Sequence, residues 1–135
     1  MSAIWDNSFV MTSVYFLLSL ISIVIFLIVF EMFTSYKKWE QIKNGNMSVA
    51  MATAGKILGI ANVFRFSIER NESILEILIW GAFGFVMLML AYFIFEFLTP
   101  YFKVDEEIEK DNRAIGILSF VISVATSYVV GASIF

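Results

Sequence analysis

The chain has 135 residues, of which 60% are hydrophobic, 17% aromatic and only 16% charged, and its net charge is −3. Soluble domains carry roughly a quarter charged residues, so this composition predicts a surface that faces lipid. Because the sequence contains neither cysteine nor histidine, it excludes disulfides, thiol catalysis, histidine acid–base chemistry and the usual zinc sites. The acidic balance also argues against a nucleic-acid partner.

Four apolar segments follow one another along the chain, at about residues 9–33, 47–66, 74–98 and 114–135. Each is close to the ~20 residues that a helix needs to cross a ~30 Å hydrocarbon core. Backbone groups in lipid must be paired within their own segment, so helices are predicted rather than strands. The predicted fold class is all-α: a polytopic membrane protein with four transmembrane helices in a single domain. The first segment is not expected to be a cleaved signal peptide, because no basic residue precedes it and its apolar run is too long.

Lysine and arginine predict how these helices are oriented. The loops after the first and third helices carry most of the basic residues, namely Lys37, Lys38, Lys43, Lys103, Lys110 and Arg113. The opposite side has only Arg65 and Arg70. We therefore expect both basic loops in the cytoplasm and both termini outside.

The two halves of the chain resemble each other at an offset of about 65 residues. FEMFTSY at 30–36 matches FEFLTPY at 95–101, and GNMSVAM from Gly45 matches DNRAIGI from Asp111. Polar residues match at both ends of the loop, which favours a tandem duplication of a two-helix unit over chance. The first repeat covers about residues 9–66 and the second about 74–135. Two helices per unit give both copies the same orientation in the membrane.

The same stretches resemble the YjfL-like, YshE-like family of small bacterial membrane proteins. The pattern is a Thr-Pro or similar pair after an odd helix, a charged loop, and an Asn with small residues opening the even helix. It occurs twice, although the first copy has Ser35 where the second has Pro100. The resemblance implies a four-helix protein of the inner membrane and no particular reaction. It also implies membrane-stress proteins of the phage-shock type, or band-seven scaffolds, as possible partners.

Asn46 and Asn112 each precede an even helix and are predicted to cap it. The second and fourth helices also carry rows of small residues: Ala50, Ala54, Gly55, Gly59, Ser119, Ser123, Ser127 and Gly131. This spacing predicts that the two even helices form the central contact, with the odd helices outside against lipid. The alternative is that the serine row lines a polar path.

Four polar residues are candidates for function inside the membrane. Glu31 and Glu96 occupy equivalent places near the cytoplasmic ends of the odd helices, as interfacial acids or as a protonatable or ion-binding pair. Lys56 lies ~15 Å along its helix from Asn46, where a charge usually faces a partner or a hydrated cavity. We expect it to face one of the two glutamates or such a cavity, with several copies of the chain shielding it. Asn62 adds a further polar group to the same helix.

The two basic loops predict different surfaces. Tyr36, Trp39 and Ile42 form a stripe with three-residue spacing beside lysines, which is typical of an interfacial anchor. The acidic run at 105–109 is expected to be a solvated loop, with weak cation binding or protein docking as alternatives.

No catalytic constellation, cofactor site or metal site is visible in the sequence. We therefore predict a small integral membrane protein that is not an enzyme, with the lipid bilayer and further copies of itself as partners. It is either a homo-oligomeric assembly or a partner of a stress-response scaffold. The alternative is a small ion channel or transporter with Lys56, Asn62, Glu31 and Glu96 along its pathway.

Overall fold

A computed structural model describes residues 7–32, 37–70, 73–97 and 104–134, except for the side chains of Glu96 and Phe97. Within these ranges the secondary structure consists of helices: α1 (Ser8–Glu31), α2 (Lys38–Lys43), α3 (Met47–Arg70), α4 (Ile74–Phe97), α5 (Val104–Glu109) and α6 (Arg113–Ile134). Four of them, α1, α3, α4 and α6, are long and apolar enough to cross a membrane. The prediction of an all-α protein with four transmembrane helices is confirmed.

The ends of the long helices follow local side-chain chemistry. α1 begins after Asn7, whose Oδ1 accepts a hydrogen bond from the backbone N–H of Phe9 at 2.9 Å and so caps the helix. α3 continues to Arg70, four residues beyond its predicted end at Phe66. Its last turns are polar, and an i, i+4 ion pair joins Arg65 Nε to Glu69 Oε1 at 3.2 Å.

α3 and α6 lie side by side at the centre of the bundle and run in the same direction. Near their starts, Ser48 Oγ donates to the carbonyl of Asn112 at 2.8 Å. Further along, Asn62 Nδ2 donates to Ser127 Oγ at 3.0 Å. Early residues pair with early residues and late with late, which defines a parallel contact.

α4 covers the central pair on one side and contacts both of its helices. A Cβ added at Gly84 would meet the side chains of Val63 on α3 and Val130 on α6. α4 therefore has a buried stripe and is less fully lipid-facing than expected; its buried side chains are Ile77, Phe85, Leu88, Met89 and Tyr92.

α1 packs beside α4 through stacked aromatic rings. The ring of Phe26 lies 5.5 Å from that of Phe64 on α3 and 4.5 Å from that of Phe85 on α4, centroid to centroid. The buried residues of α1 are Ser22 and Phe30. The rest of its surface is at least partly exposed, in agreement with a peripheral helix that faces lipid.

α2 and α5 lie at the same end of the bundle, which we call the loop end. The side chain of Asn46, after α2, donates from Nδ2 to the carbonyl of Glu109, the last residue of α5, at 2.8 Å. Val104 and Ile108 of α5 are fully buried in a cluster with residues of α3 and α6. The two basic loops thus share one side of the membrane, as predicted from their lysines and arginines.

Candidate functional site

The turns that follow α2 and α5 have the same hydrogen bonds. The backbone N–H of Asn46 donates to the carbonyl of Gln41, and that of Asn112 to the carbonyl of Glu107, both at 2.9 Å. Oδ1 of each Asn then accepts from a backbone N–H three residues later, at 3.0 Å for Asn46 and 3.4 Å for Asn112. Both asparagines are helix caps, in the manner that the sequence predicts.

In each turn, one residue before the Asn has a left-handed backbone. Gly45 has a φ of +86° and Asp111 a φ of +62°. The Asp111 carboxylate contacts the start of α3, where it accepts a hydrogen bond from the backbone N–H of Ser48 at 2.9 Å. The two left-handed residues are 66 positions apart, and the tandem duplication stays a prediction.

The contact between α3 and α6 is too close to hold a pathway at its glycines. A Cβ at Gly55 would lie 2.7 Å from the Cα of Phe120, and one at Gly59 would lie 3.1 Å from the carbonyl oxygen of Ser123. Gly131 instead leaves room for the side-chain ring of Phe66, which an added Cβ would meet. Gly55 and Gly59 therefore allow the two helix backbones to approach closely.

The predicted serine row lies in this contact. Ser119 and Ser127 are fully buried, and Ser123 is nearly so. Ser127 Oγ accepts from Asn62 and donates to the carbonyl of Val124 at 2.6 Å. Ser119 Oγ and Thr53 Oγ1 have no hydrogen-bond partner among the described residues. The row is thus part of a helix–helix interface.

Lys56 is enclosed by aromatic rings within a single chain. It is only 4% exposed, and its Nζ lies 4.7 Å from the ring centroid of Phe30 on α1 and 5.0 Å from that of Tyr92 on α4. A cation over ring faces at these distances is attracted by their quadrupoles. Because one chain suffices to shield Lys56, further copies are not needed for this purpose.

Tyr92 continues this cluster into α5. Its hydroxyl donates to Oδ1 of Asp105 at 2.9 Å, and Asp105 is only 8% exposed. The expectation of a solvated acidic run is therefore wrong for Asp105, because Val104 and Ile108 on the same short helix hold it against the bundle. We call Lys56, Tyr92 and Asp105, together with the ring of Phe30 that Lys56 contacts, the buried polar cluster.

Glu31 is paired with Lys38, a residue of the basic loop after α1. Lys38 Nζ lies 2.8 Å from Glu31 Oε1, off the axis of an aligned hydrogen bond, and 4.3 Å from the ring centroid of Trp39. Lys38 is 5% exposed, whereas Trp39 is 62% exposed. The sequence pattern that indicates this ion pair is a lysine directly before a tryptophan, seven residues after a glutamate near the end of a transmembrane helix.

Three of the four polar candidates fall in three separate environments. Lys56 is in the buried polar cluster, and Glu31 is at the loop end with Lys38. Asn62 lies far along α3, where its Oδ1 accepts from Arg65 Nη1 at 3.5 Å. The side chain of Glu96 lies outside the described residues, as does Tyr36 of the predicted interfacial stripe. A pairing of Lys56 with either glutamate therefore stays a prediction.

Asn62 also lines a groove between α3 and α6. The groove has a volume of about 360 Å³ and is lined by Leu58, Ala61, Asn62, Arg65, Val124 and Tyr128. We call it the α3–α6 groove. It is open to the surroundings on the outer surface of the central pair.

The geometry above is that of a multi-pass membrane protein, and comparison with known proteins places it in a family. The chain belongs to the family described as Domain of Unknown Function (DUF350), which matches residues 4–134. It is 58% identical over 134 residues to the UPF0719 transmembrane protein YshE of Bacillus subtilis strain 168, covering 99% of this chain and all of that protein. It is 26% identical over 110 residues to the UPF0719 inner membrane protein YjfL of Escherichia coli K12, covering 82% of each. No solved structure matches the chain. The resemblance seen in the sequence is thus confirmed, and the chain is a membrane protein.

Proposed function

We propose that the protein is a non-enzymatic component of the bacterial inner membrane that assembles into homo-oligomers through the surface of α3 and α6 that α1 and α4 leave open. The observation that supports this proposal is the α3–α6 groove, because it combines small and apolar residues with the amide of Asn62 inside the span and the guanidinium of Arg65 near its outer end.

The open surface is broad as well as grooved. On α6 it presents exposed apolar side chains at helical spacing, namely Ile117, Leu118, Val121, Tyr128 and Val129. Apolar exposure alone is ordinary for a helix in lipid, since lipid chains are as apolar as leucine. The polar residues of the groove therefore carry the argument for a protein partner.

Asn62 lies ~22 Å and Arg65 ~27 Å from the start of α3, by the rise of 1.5 Å per residue. A polar side chain at the depth of Asn62 usually faces other protein or a water-filled space, whereas Arg65 lies near the outer end of α3 and is one of the two basic residues counted on that side. Arg65 has an ion pair with Glu69, yet both remain more than half exposed. A second copy related by a two-fold axis would present the same groove and could exchange these contacts reciprocally.

Single cysteines test the interface, and the chain provides a clean background because it contains none. We would introduce Val121→Cys on the open surface and Leu90→Cys on the lipid side of α4. The two positions are matched, since each is 50% exposed. Oxidation in native membranes should give a disulfide-linked dimer for Val121→Cys and little for Leu90→Cys. Equal cross-linking of both, or of neither, would overturn the proposed interface.

Orientation is part of the same proposal, with both termini outside and the loop end in the cytoplasm. Six basic residues in the two loops against two on the other side support it. A cysteine at Ser2 should react with an impermeant thiol reagent in intact cells, and one at Gln41 should not. The opposite labelling pattern would refute the orientation.

Transport is the second candidate, and the enclosed charge of Lys56 is the observation that favours it. A transport function predicts ion flux across the membrane of vesicles reconstituted with the purified protein, and Lys56→Met should change that flux. Vesicles that leak no faster than protein-free vesicles would remove this candidate. A membrane-stress or band-seven partner also remains a prediction, which rests on the family resemblance alone.

A further inference from the structure

A second groove runs between α1 and α3 and ends at α2. It has a volume of about 380 Å³. Its walls are apolar side chains, Ile23, Val24, Leu27, Ile28 and Ile57, and its loop end is formed by Glu31, Lys38 and Trp39. We call it the α1–α3 groove.

The shape of this groove suits a hydrocarbon chain with a polar end. From Ile23 to Glu31 the groove follows α1 for ~12 Å. Over that length its described walls carry no polar side chain until the Glu31–Lys38 pair. Trp39 lies beside the pair and is largely exposed, as is typical of tryptophans at the level of lipid headgroups.

Lys38 is the unusual group at this site. Its ammonium is buried, and its described contacts are one off-axis carboxylate oxygen and the face of Trp39. An ammonium has three N–H donors. Neither described contact is an aligned hydrogen bond, so an acceptor that enters the end of the groove would find donors available.

The charge around the groove favours an anion. Three lysines stand in or directly before α2, namely Lys37, Lys38 and Lys43. They outnumber the two acids of the same region, Glu31 at the end of α1 and Glu40 in α2. The net positive charge lies on the side of the membrane that we assign to the cytoplasm, whose leaflet is negative. α5 offers no equivalent, because Val104 and Asp105 occupy the positions of Lys38 and Trp39 at the 66-residue offset.

We propose that the α1–α3 groove binds one anionic phospholipid. One acyl chain lies along α1, and the phosphate accepts from Nζ of Lys38 beside Trp39. Glu31 competes with the phosphate for the same ammonium. The two substitutions should therefore change lipid binding in opposite directions. Loss of Lys38 weakens it, whereas loss of the Glu31 charge strengthens it.

The test is native mass spectrometry of the full chain in detergent with phosphatidylglycerol or, as the zwitterionic lipid, phosphatidylcholine. The wild type should retain phosphatidylglycerol in preference. Lys38→Gln should lower that preference about five-fold or more, the size expected for one lysine near a lipid phosphate. Glu31→Gln should raise it. Lys110→Gln, an exposed lysine after α5, makes the same charge change at the same membrane side and should leave it unchanged.

Glu31→Gln also controls for folding, because it breaks the same ion pair as Lys38→Gln. If both variants lose lipid together, the pair acts only through structure and the proposal fails. It fails equally if the wild type does not distinguish the two lipids, or if Lys38→Gln and Lys110→Gln behave alike. A dimer that Lys38→Gln dissociates without any change in lipid retention would place a second copy in the groove instead.

Val24→Trp provides an independent variant that leaves every charge in place. Val24 lies on the apolar wall of the groove, where a larger side chain occupies the space of the acyl chain. Retention of phosphatidylglycerol should fall, while Leu90→Trp on the lipid side of α4, an equally exposed position, should have no effect. Unchanged retention in Val24→Trp would exclude the groove as the acyl-chain site.

Discussion

α2 and α5 are both six residues long, lie at the same end of the bundle and lead into the same capped turn. Their side chains nevertheless make different contacts. α2 places Lys38 against Glu31 and exposes Trp39, whereas α5 buries Val104 and anchors Asp105 to Tyr92. Backbone hydrogen bonds and the Asn caps define the turns, so the other positions are free to differ without altering the fold.

The largest expected difference between the turns comes from the two asparagines. Asn46→Ala removes a buried side chain that caps Val49 N–H and also bonds the carbonyl of Glu109 in the other turn. We expect a loss of about 3 kcal/mol in the free energy of unfolding. Asn112→Ala removes a cap and a contact within its own turn, for about 1 kcal/mol. Unfolding in detergent by denaturant would measure both, and equal losses would show that the link between the turns contributes nothing.

Next in size is the contact that holds α5 to α4. Asp105→Ala removes the acceptor of the Tyr92 hydroxyl at a buried position and should cost about 2 kcal/mol. Asp105→Asn keeps an acceptor oxygen and should cost less than half as much. The same unfolding measurement applies. If the two variants are equally destabilised, the charge of Asp105 matters more than its hydrogen bond.

The left-handed residues give a smaller effect. Gly45→Ala should cost about 1 kcal/mol from backbone strain alone, because nothing lies within 4 Å of the added Cβ. Gly45→Asn should cost clearly less, since Asn tolerates this conformation. A melting temperature for each variant decides the matter, and a lower value for Asn than for Ala would contradict the backbone explanation.

The smallest effect is expected at the matching position of the other turn. Asp111→Asn keeps the oxygen that accepts from Ser48 N–H and suits the positive φ equally well. Its contact with Arg113, at 3.9 Å between an exposed guanidinium and a partly exposed carboxylate, is weak and contributes little. The melting temperature should therefore stay within about 1–2 °C of the wild type. A larger drop would mean that the negative charge itself supports the turn.

The sequence predicted the elements whose signal is periodic. The four long helices follow from runs of apolar residues, and the α3–α6 contact follows from small residues four apart. The Asn caps could be read because each Asn stands before an apolar segment. These features depend on local chemistry that a single segment displays.

The missed features depend on contacts between distant segments. Lys38 looked like one of several cytoplasmic lysines, and only the approach of α1 reveals its pair with Glu31. The acidic neighbours of Asp105 predict a solvated loop, although Val104 and Ile108 form an apolar edge at i, i+4 that indicates a packed helix. The aromatic faces around Lys56 come from α1 and α4, which no pattern within α3 could show.

The parallel pairing of α3 with α6 also has a consequence for synthesis of the chain. Ser48 and Asn112, which meet at its start, are 64 positions apart, so the pairing cannot form until the last helix has left the ribosome. During that interval α3 sits in the membrane with its glycine face uncovered. Ribosomes synthesise a chain at roughly 5–20 residues per second, so the glycine face of α3 stays uncovered for seconds. Insertion of α6 is therefore the step that completes the bundle.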